Sequence, residues 1–416
     1  MEKYRFLLDL ALILISTKLL GMLTRRIQLP QVVGALLAGL ILGPACLGLI
    51  SRTGFIENIS EIGVIVLMFS AGLETDISEL KKSGGAYFVI ALFGVAVPLV
   101  SGFLLASVFK ISDNFIENLF VGVILTATSV SISVETLREL GKLSTRTGSA
   151  ILGAALIDDV IGLIVLTVVS SFADKNVNVL LTLAKIAGFV GFCALLAVLI
   201  RKVLKPWIDK YRKDLRRFAV FAFSICLFTA FISEAVFGIS DITGAFVAGL
   251  LLSDTKHTPY VLNRMNGASF LLLSPVFFAS VGLRVEVHSM TLTLLFFTIA
   301  LIIVGCTSKI VGCYTAARLC HYTRLQSKKI GVGMMARSEV ALIMATKGAA
   351  MGIVAPATIA SVIIMVISST IITPVSLKLI YKKQASMEAN EESSLVARHE
   401  AKHKIEEAAQ TAYKHS

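Results

Sequence analysis

Hydrophobic and polar positions alternate along this chain in long blocks. Apolar runs of about 17–25 residues, the length that crosses a bilayer as a helix, are separated by short stretches of Gly, Pro and charged residues. The pattern predicts an all-α polytopic membrane protein with thirteen transmembrane helices. They are predicted near 4–24, 30–50, 58–74, 84–109, 116–140, 146–171, 177–203, 216–237, 241–254, 266–283, 289–318, 327–352 and 355–381.

Two motifs recur at one fixed offset and predict an internal repeat. VGALLAGLIL at 33–42 returns as TGAFVAGLLL at 243–252, and SAGLETD at 70–76 returns as SVGLRVE at 280–286, both 210 residues later. The first match pairs predicted helices two and nine, and this odd separation reverses the direction of crossing. The two copies are therefore predicted to be inverted, as in secondary transporters, whose sites lie where discontinuous helices meet near the midplane.

Composition agrees with the block pattern, and the charge distribution adds an orientation. The chain is 56% hydrophobic and 16% charged, whereas soluble domains are about 45–50% apolar. The net charge of +12 does not indicate nucleic acid, because Lys and Arg lie between apolar runs without interleaved aromatic residues. Most basic residues fall in odd-numbered loops, which predicts that the amino terminus lies outside and the carboxyl terminus in the cytoplasm.

Two adjacent carboxylates, Asp158 and Asp159, interrupt the apolar run ILGAALIDDVIGLIVLT at 151–167. A carboxylate at the centre of a membrane helix costs roughly 2.5–3.5 kcal/mol, so such residues usually face a bundle interior or a water-filled cavity. One alternative is a structural ion pair within the bundle. We predict instead a site where protons compete with a small cation that takes oxygen ligands from Asp159, Asp158 and nearby hydroxyls such as Thr128 or Ser129.

Each repeat contains one candidate break in a helix. Predicted helix five carries the hydroxyl-rich stretch TATSVSIS at 126–133, which includes Thr128 and Ser129. Such side chains can satisfy backbone groups freed by unwinding, although ordinary helix packing also uses them. Arg337 and Glu339 lie at a comparable depth in predicted helix twelve, and the 210-residue offset carries Ser129 onto Glu339.

Lys309 is a further charge inside a predicted span. Its nearest charged neighbour, Arg318, is nine residues away, which is about 13 Å of helix and too far for easy snorkelling to the interface. We expect Lys309 to pair with a carboxylate, and the Asp158–Asp159 pair is the natural partner. The six cysteines lie in or beside apolar runs without a C-x-x-C pair, so no cofactor is predicted.

Together these motifs resemble the bacterial monovalent cation:proton antiporter-2 family, especially the NapA-type sodium/proton antiporters. The resemblance runs from about residue 4 to 382 and rests on GALLAGLILGP, LFVGVILTATSVSISV, GAALIDDVIGLIVL, GAFVAGLLL, SVGL and MMARSEVALI. It implies a NapA/NhaA-like fold with thirteen helices, inverted five-helix repeats and two crossing broken helices. It also implies a homodimer in the bacterial inner membrane.

The resemblance implies six segments. Dimerisation or scaffold helices would occupy 1–83 and 206–288, and core transport helices would occupy 84–172 and 289–382. A linker helix would occupy 173–205, and a polar cytoplasmic tail would follow at 383–416.

The implied activity is exchange of Na⁺ or Li⁺ for H⁺ by alternating access, serving pH homeostasis and sodium tolerance. In this family the second acid of the motif, here Asp159, carries the ion, and the first, here Asp158, pairs with a lysine that maps to Lys309. Electrogenic members have this double acid and lysine. The family often has Pro-Arg-Gly-Glu in helix twelve, whereas this chain has ARSE at 336–339, which leaves the shape of that break open.

Two alternatives remain at this stage. A potassium/proton antiporter or potassium efflux protein of the same superfamily would share most of these motifs. An intramembrane aspartyl protease also uses buried acids, but its acids come from two helices, whereas these are adjacent and point about 100° apart on one helix. The sequence also has no G-x-G-D run, so we expect a transporter and not an enzyme.

Overall fold

A computed structural model of the chain describes residues 4–26, 29–75, 77–112, 114–173, 178–204, 215–284, 292–337, 339–350, 353–354 and 358–383. The regular secondary structure of these segments is helical, and no β-strand occurs among them, which confirms the predicted all-α class. The predicted tail at 383–416 lies outside the described residues from residue 384 onward.

The described residues form sixteen α-helices. They are α1 Arg5–Arg26, α2 Gln31–Leu42, α3 Gly54–Glu74, α4 Ile77–Val108, α5 Phe115–Thr126, α6 Val130–Glu139, α7 Arg146–Ala173, α8 Val179–Leu199, α9 Leu215–Ala235, α10 Asp241–Leu252, α11 Thr258–Ala268, α12 Ser274–Leu283, α13 Leu292–Leu319, α14 Arg324–Gly333, α15 Glu339–Ala350 and α16 Thr358–Lys383. Short π-helical segments, Ile200–Leu204 and Ser269–Leu273, follow α8 and α11.

Ten helical segments of the described chain are long and apolar enough to cross a membrane. The other three predicted spans coincide with shorter helices. Helices α2 and α10 have 12 residues each, and α14 and α15 are separated by a break. The ten spans establish a multi-span membrane protein, and the count of thirteen stays a prediction.

Two predicted helices begin earlier in the structure than in the sequence pattern. Helix α4 starts at Ile77 and not near 84, and α11 starts at Thr258 and not near 266. Charged and amide residues lie in the part of each helix that precedes the predicted start, Glu79, Lys81 and Lys82 in α4 and Asn263 and Arg264 in α11. Pro259 at the start of α11 fits the position where its missing N–H costs nothing. Hydropathy therefore located the apolar part of each helix and not the residue where its hydrogen bonding starts.

Glycines bring two pairs of helices into backbone contact. A Cβ on Gly39 of α2 would lie 1.9 Å from the carbonyl oxygen of Ala279 on α12, and a Cβ on Gly249 of α10 would lie 2.2 Å from that of Phe69 on α3. Small residues allow such close approach of membrane helices. The two contacts are related by the 210-residue offset, because Gly39 corresponds to Gly249 and Phe69 corresponds to Ala279.

Candidate ion-binding site

The first component of the site is a break between α5 and α6. Helix α5 ends at Thr126, and α6 begins at Val130. Ala127 (φ −56°, ψ 135°) and Ser129 (φ −92°, ψ 106°) have non-helical backbone, and the side chains around the break are buried. The freed backbone groups therefore need partners inside the protein.

The second component is a break between α14 and α15. Helix α14 ends at Gly333 and α15 begins at Glu339. The two breaks touch, because the backbone N–H of Ser129 donates to the carbonyl of Ala336 at 2.8 Å. The Ser133 hydroxyl on α6 also donates to the carbonyl of Gly333. Each interrupted helix thus supplies partners for backbone groups that the other one frees.

Arg337, in the second break, forms hydrogen bonds to the first break and to α13. Its side chain is fully buried, and its two terminal nitrogens donate to the carbonyls of Ala127, at 2.9 Å, and of Gly305 on α13, at 2.5 Å. Its backbone N–H donates to the hydroxyl of Ser369 on α16 at 3.2 Å. A rigid guanidinium fork suits this bridging of two fixed carbonyls. The side chain of Glu339 lies outside the described residues, as does Ser338, so the structure describes Arg337 alone of the two predicted charges.

Asp158 on α7 and Lys309 on α13 form a buried ion pair beside the first break. The Lys309 Nζ lies 2.7 Å from Asp158 Oδ1 and 3.0 Å from Oδ2, and the two side chains are 0% and 1% exposed. Lys309 also donates to the carbonyl of Thr126 at 3.0 Å. The Thr128 hydroxyl donates to Asp158 Oδ2 at 2.7 Å. Both carboxylate oxygens of Asp158 are therefore engaged by the protein.

Asp159 lies in a different environment from its neighbour. Successive residues of a helix point about 100° apart, and Asp159 is partly exposed where Asp158 is buried. Of the predicted hydroxyl ligands, Thr128 contacts Asp158, whereas the Ser129 hydroxyl lies 3.3 Å from that of Ser131. The structure thus places Asp158 in a buried ion pair and Asp159 at a partly exposed position.

Two contributors to the site were missed in the sequence. One is the carbonyl of Thr126, an oxygen freed where α5 ends. The other is Gly94 of α4, where a Cβ would lie 2.9 Å from Cys313 Sγ, 3.3 Å from Asp158 Oδ1 and 3.5 Å from Lys309 Nζ. A glycine within an apolar span signals close packing in general, but nothing in the pattern connects Gly94 with this ion pair.

A second polar cluster joins the far end of α6 to α2 and α3. The backbone N–H of Gln31, the first residue of α2, donates to both carboxylate oxygens of Glu139 at 2.9 Å. Arg138 Nε lies 3.4 Å from a carboxylate oxygen of Glu74 at the end of α3. The Nη1 atom of Arg138 lies 3.5 Å from a carboxylate oxygen of Glu135. These contacts connect a broken helix to two helices that carry the repeat motifs.

Comparison with known proteins gives the family of this chain. The family model "Sodium/hydrogen exchanger, transmembrane" matches residues 11–383. The Na(+)/H(+)-K(+) antiporter GerN of Bacillus cereus is 36% identical over 391 residues, which cover 93% of this chain and 100% of GerN. A Na(+)/H(+) antiporter of Enterococcus hirae is 36% identical over 378 residues, covering 90% of this chain and 97% of that protein.

The fold also resembles a solved structure, that of the sodium proton antiporter MjNhaP1 from Methanocaldococcus jannaschii at pH 8. The TM-score is 0.68 at 18% identity, over 91% of this chain and 97% of that one. These matches do not show the antiporter-2 family or its NapA type, so that part of the prediction was wrong. The expectation of a cation/proton antiporter is confirmed. The relatives are transporters and not enzymes, which argues against the protease alternative. The chain belongs to the transmembrane sodium/hydrogen exchanger family and is a cation/proton antiporter by that membership.

Proposed function

We propose that this chain exchanges Na⁺ for H⁺ across the membrane and that Asp159 is the group that carries either ion. The observation that carries the proposal is the contrast between the two acids: Lys309 and Thr128 hold Asp158, while Asp159 on the same helix is partly exposed. The relatives from Bacillus cereus and Enterococcus hirae are named as Na⁺/H⁺ antiporters, which supports Na⁺ and H⁺ as the substrates.

Competition for one carboxylate couples the two ion flows. A small hard cation takes oxygen ligands, and Asp159 supplies such oxygens only after it has lost its proton. Asp159 in its anionic form also attracts the cation, while in its protonated form it is neutral. A carrier that crosses in only these two loaded forms exchanges one ion for the other.

Lys309 makes the exchange electrogenic in this proposal. Cation binding near Asp158 competes with Lys309 for the carboxylate oxygens of that residue. Lys309 is fully buried, and an ammonium that loses its carboxylate partner in such a place is strongly disfavoured. The side chain then releases a proton, so that more than one proton moves for each cation.

Contacts related by the 210-residue offset support inverted repeats, and the thirteen-helix arrangement is part of the same proposal. Besides the glycine contacts of α2 with α12 and of α3 with α10, Arg337 donates to the carbonyl of the residue 210 positions earlier, Ala127. In the proposed division, 84–172 and 289–382 form the moving core, 1–83 and 206–288 form a dimerisation scaffold, and 173–205 link them. The Glu139 and Arg138 contacts then join core to scaffold at one end and separate during alternating access.

The proposal includes Li⁺ as a second transported cation. Exchange of K⁺ is the alternative to it. The name of GerN includes K⁺, so a potassium/proton antiporter is the alternative that a relative supports. In the proposed setting the protein is a homodimer in a bacterial plasma membrane, with its amino terminus outside and its carboxyl terminus in the cytoplasm.

The test is ion exchange by the purified protein in proteoliposomes that contain a pH-sensitive dye. Na⁺, Li⁺ and K⁺ are imposed as outward gradients in parallel samples, and protein-free liposomes serve as the control. We expect Na⁺ and Li⁺ to acidify the interior as they leave. Proton movement with K⁺ alone would establish the alternative, and no movement with any of the three cations would refute antiport.

A further inference from the structure

An open groove of about 400 Å³ lies between α9 and α11, away from the acids and from the crossing. One wall is a stripe of α9 that includes Ala219, Val220 and Phe223, and the other wall includes Tyr260. Val220 is 67% exposed, so the groove opens to the surroundings of the protein. Its walls are mostly apolar, which suits an apolar chain lying along α9.

Two arginines line the groove. Arg216 lies in the first turn of α9, and Phe223 lies two turns further along the same face, at about 10 Å by helical rise. Arg264 lines the opposite wall, where its Nε donates to the Tyr260 hydroxyl at 3.3 Å and its guanidinium carbon lies 5.2 Å from the Tyr260 ring centroid. The Tyr260 contacts fix Arg264 beside the groove.

The lining contains no carboxylate among the described residues. A ligand that complements it has an anionic head that two guanidinium groups can bind and an apolar tail along the α9 stripe. Guanidinium groups bind phosphate oxygens through paired hydrogen bonds. The predicted orientation puts the start of α9 and of α11 on the cytoplasmic side, where anionic lipids attract basic residues and where basic pockets between membrane helices bind lipid head groups.

We propose that this groove binds an anionic glycerophospholipid of the surrounding bilayer. Arg216 and Arg264 bind its phosphate, and an acyl chain lies along Val220 and Phe223. The proposal rests on membrane insertion, on the predicted orientation and on this face of the scaffold lying outside the dimer contact, and it is independent of which cation is exchanged.

The experiment measures the melting temperature of the purified protein in detergent with added lipid. Phosphatidylglycerol and cardiolipin are compared with phosphatidylcholine of the same acyl chains. We expect the two anionic lipids to raise the melting temperature and phosphatidylcholine to leave it nearly unchanged. Equal effects of all three lipids, or no effect of the anionic ones, would overturn the proposal.

A matched pair of double variants distinguishes the groove from general surface charge. Arg216→Ala with Arg264→Ala removes two charges at the groove, and Arg201→Ala with Lys202→Ala removes two exposed charges just after α8. We expect only the groove variant to lose most of the stabilisation by phosphatidylglycerol. Equal losses in the two variants would refute a specific site.

A third variant tests the apolar wall and keeps both arginines. Val220→Trp places a large ring in the groove at an exposed position, so the fold tolerates it. We expect fewer phosphatidylglycerol molecules to remain bound to Val220→Trp in native mass spectrometry than to the unchanged protein. Unchanged lipid binding in this variant would contradict the acyl-chain assignment, even if the arginine variant failed to fold.

Discussion

Replacing Lys309 by methionine tests the buried ion pair. The side chain is fully buried and makes three contacts of 2.7–3.0 Å, two with the carboxylate of Asp158 and one with the carbonyl of Thr126. Methionine keeps most of the volume and removes the charge, which leaves Asp158 with the Thr128 hydroxyl as a donor. Breaking a buried pair in this way costs about 3–5 kcal/mol, so we expect a large fall in the melting temperature.

The assay is thermal unfolding in detergent of Lys309→Met and of a control, Lys185→Met, which removes an exposed lysine from α8. We also expect the double variant Lys309→Met with Asp158→Asn to recover part of the loss, because it leaves no unpaired buried charge. The single variant Asp158→Asn completes the cycle. If Lys309→Met melted at the same temperature as the control, or if the losses of Lys309→Met and Asp158→Asn simply added in the double variant, the pair would not stabilise this fold.

Three further predictions concern the same region. Lys309→Arg keeps a cation beside Asp158 but cannot release a proton, so exchange in proteoliposomes should lose its response to an imposed membrane potential; an unchanged response would reduce Lys309 to a structural partner. Gly94→Ala should lower the exchange rate because its methyl group crowds the ion pair, while Gly85→Ala, which meets open space on the same helix, should not; equal rates would refute the crowding. Arg337→Lys should lower the melting temperature, at a cost of about 1–3 kcal/mol, because one ammonium replaces a fork that bonds two carbonyls; a stability equal to that of the unchanged protein would contradict the bridging role.

The sequence located those parts of the site whose chemistry is unusual in a membrane. Charge in an apolar run is costly, so Asp158, Asp159, Lys309 and Arg337 were visible without a structure. The hydroxyl-rich stretch similarly indicated the break that the structure places between Thr126 and Val130. The pairing of Lys309 with one of the two acids followed from its isolation, and only the family resemblance singled out Asp158 as its partner.

The remaining contacts depend on distances between helices that are far apart in sequence. The Thr126 and Gly305 carbonyls are ordinary backbone groups, and only the approach of α7, α13 and the two breaks makes them ligands. The partners of Arg337 were likewise not visible in the sequence, because its side chain donates to the backbone carbonyls of Ala127 and Gly305. Helix boundaries such as Ile77 were missed because polar first turns carry no hydropathy signal.

The most direct test of the carrier assignment is sodium-driven proton movement by Asp159→Asn in proteoliposomes. An amide can neither take up the proton nor balance the charge of a cation, so this variant should reconstitute at normal yield and show no exchange. Asp9→Asn, the same change at a buried aspartate of α1, is the matched control and should keep exchange. Appreciable sodium-driven proton movement by folded Asp159→Asn would contradict the assignment of Asp159 as the shared site for Na⁺ and H⁺.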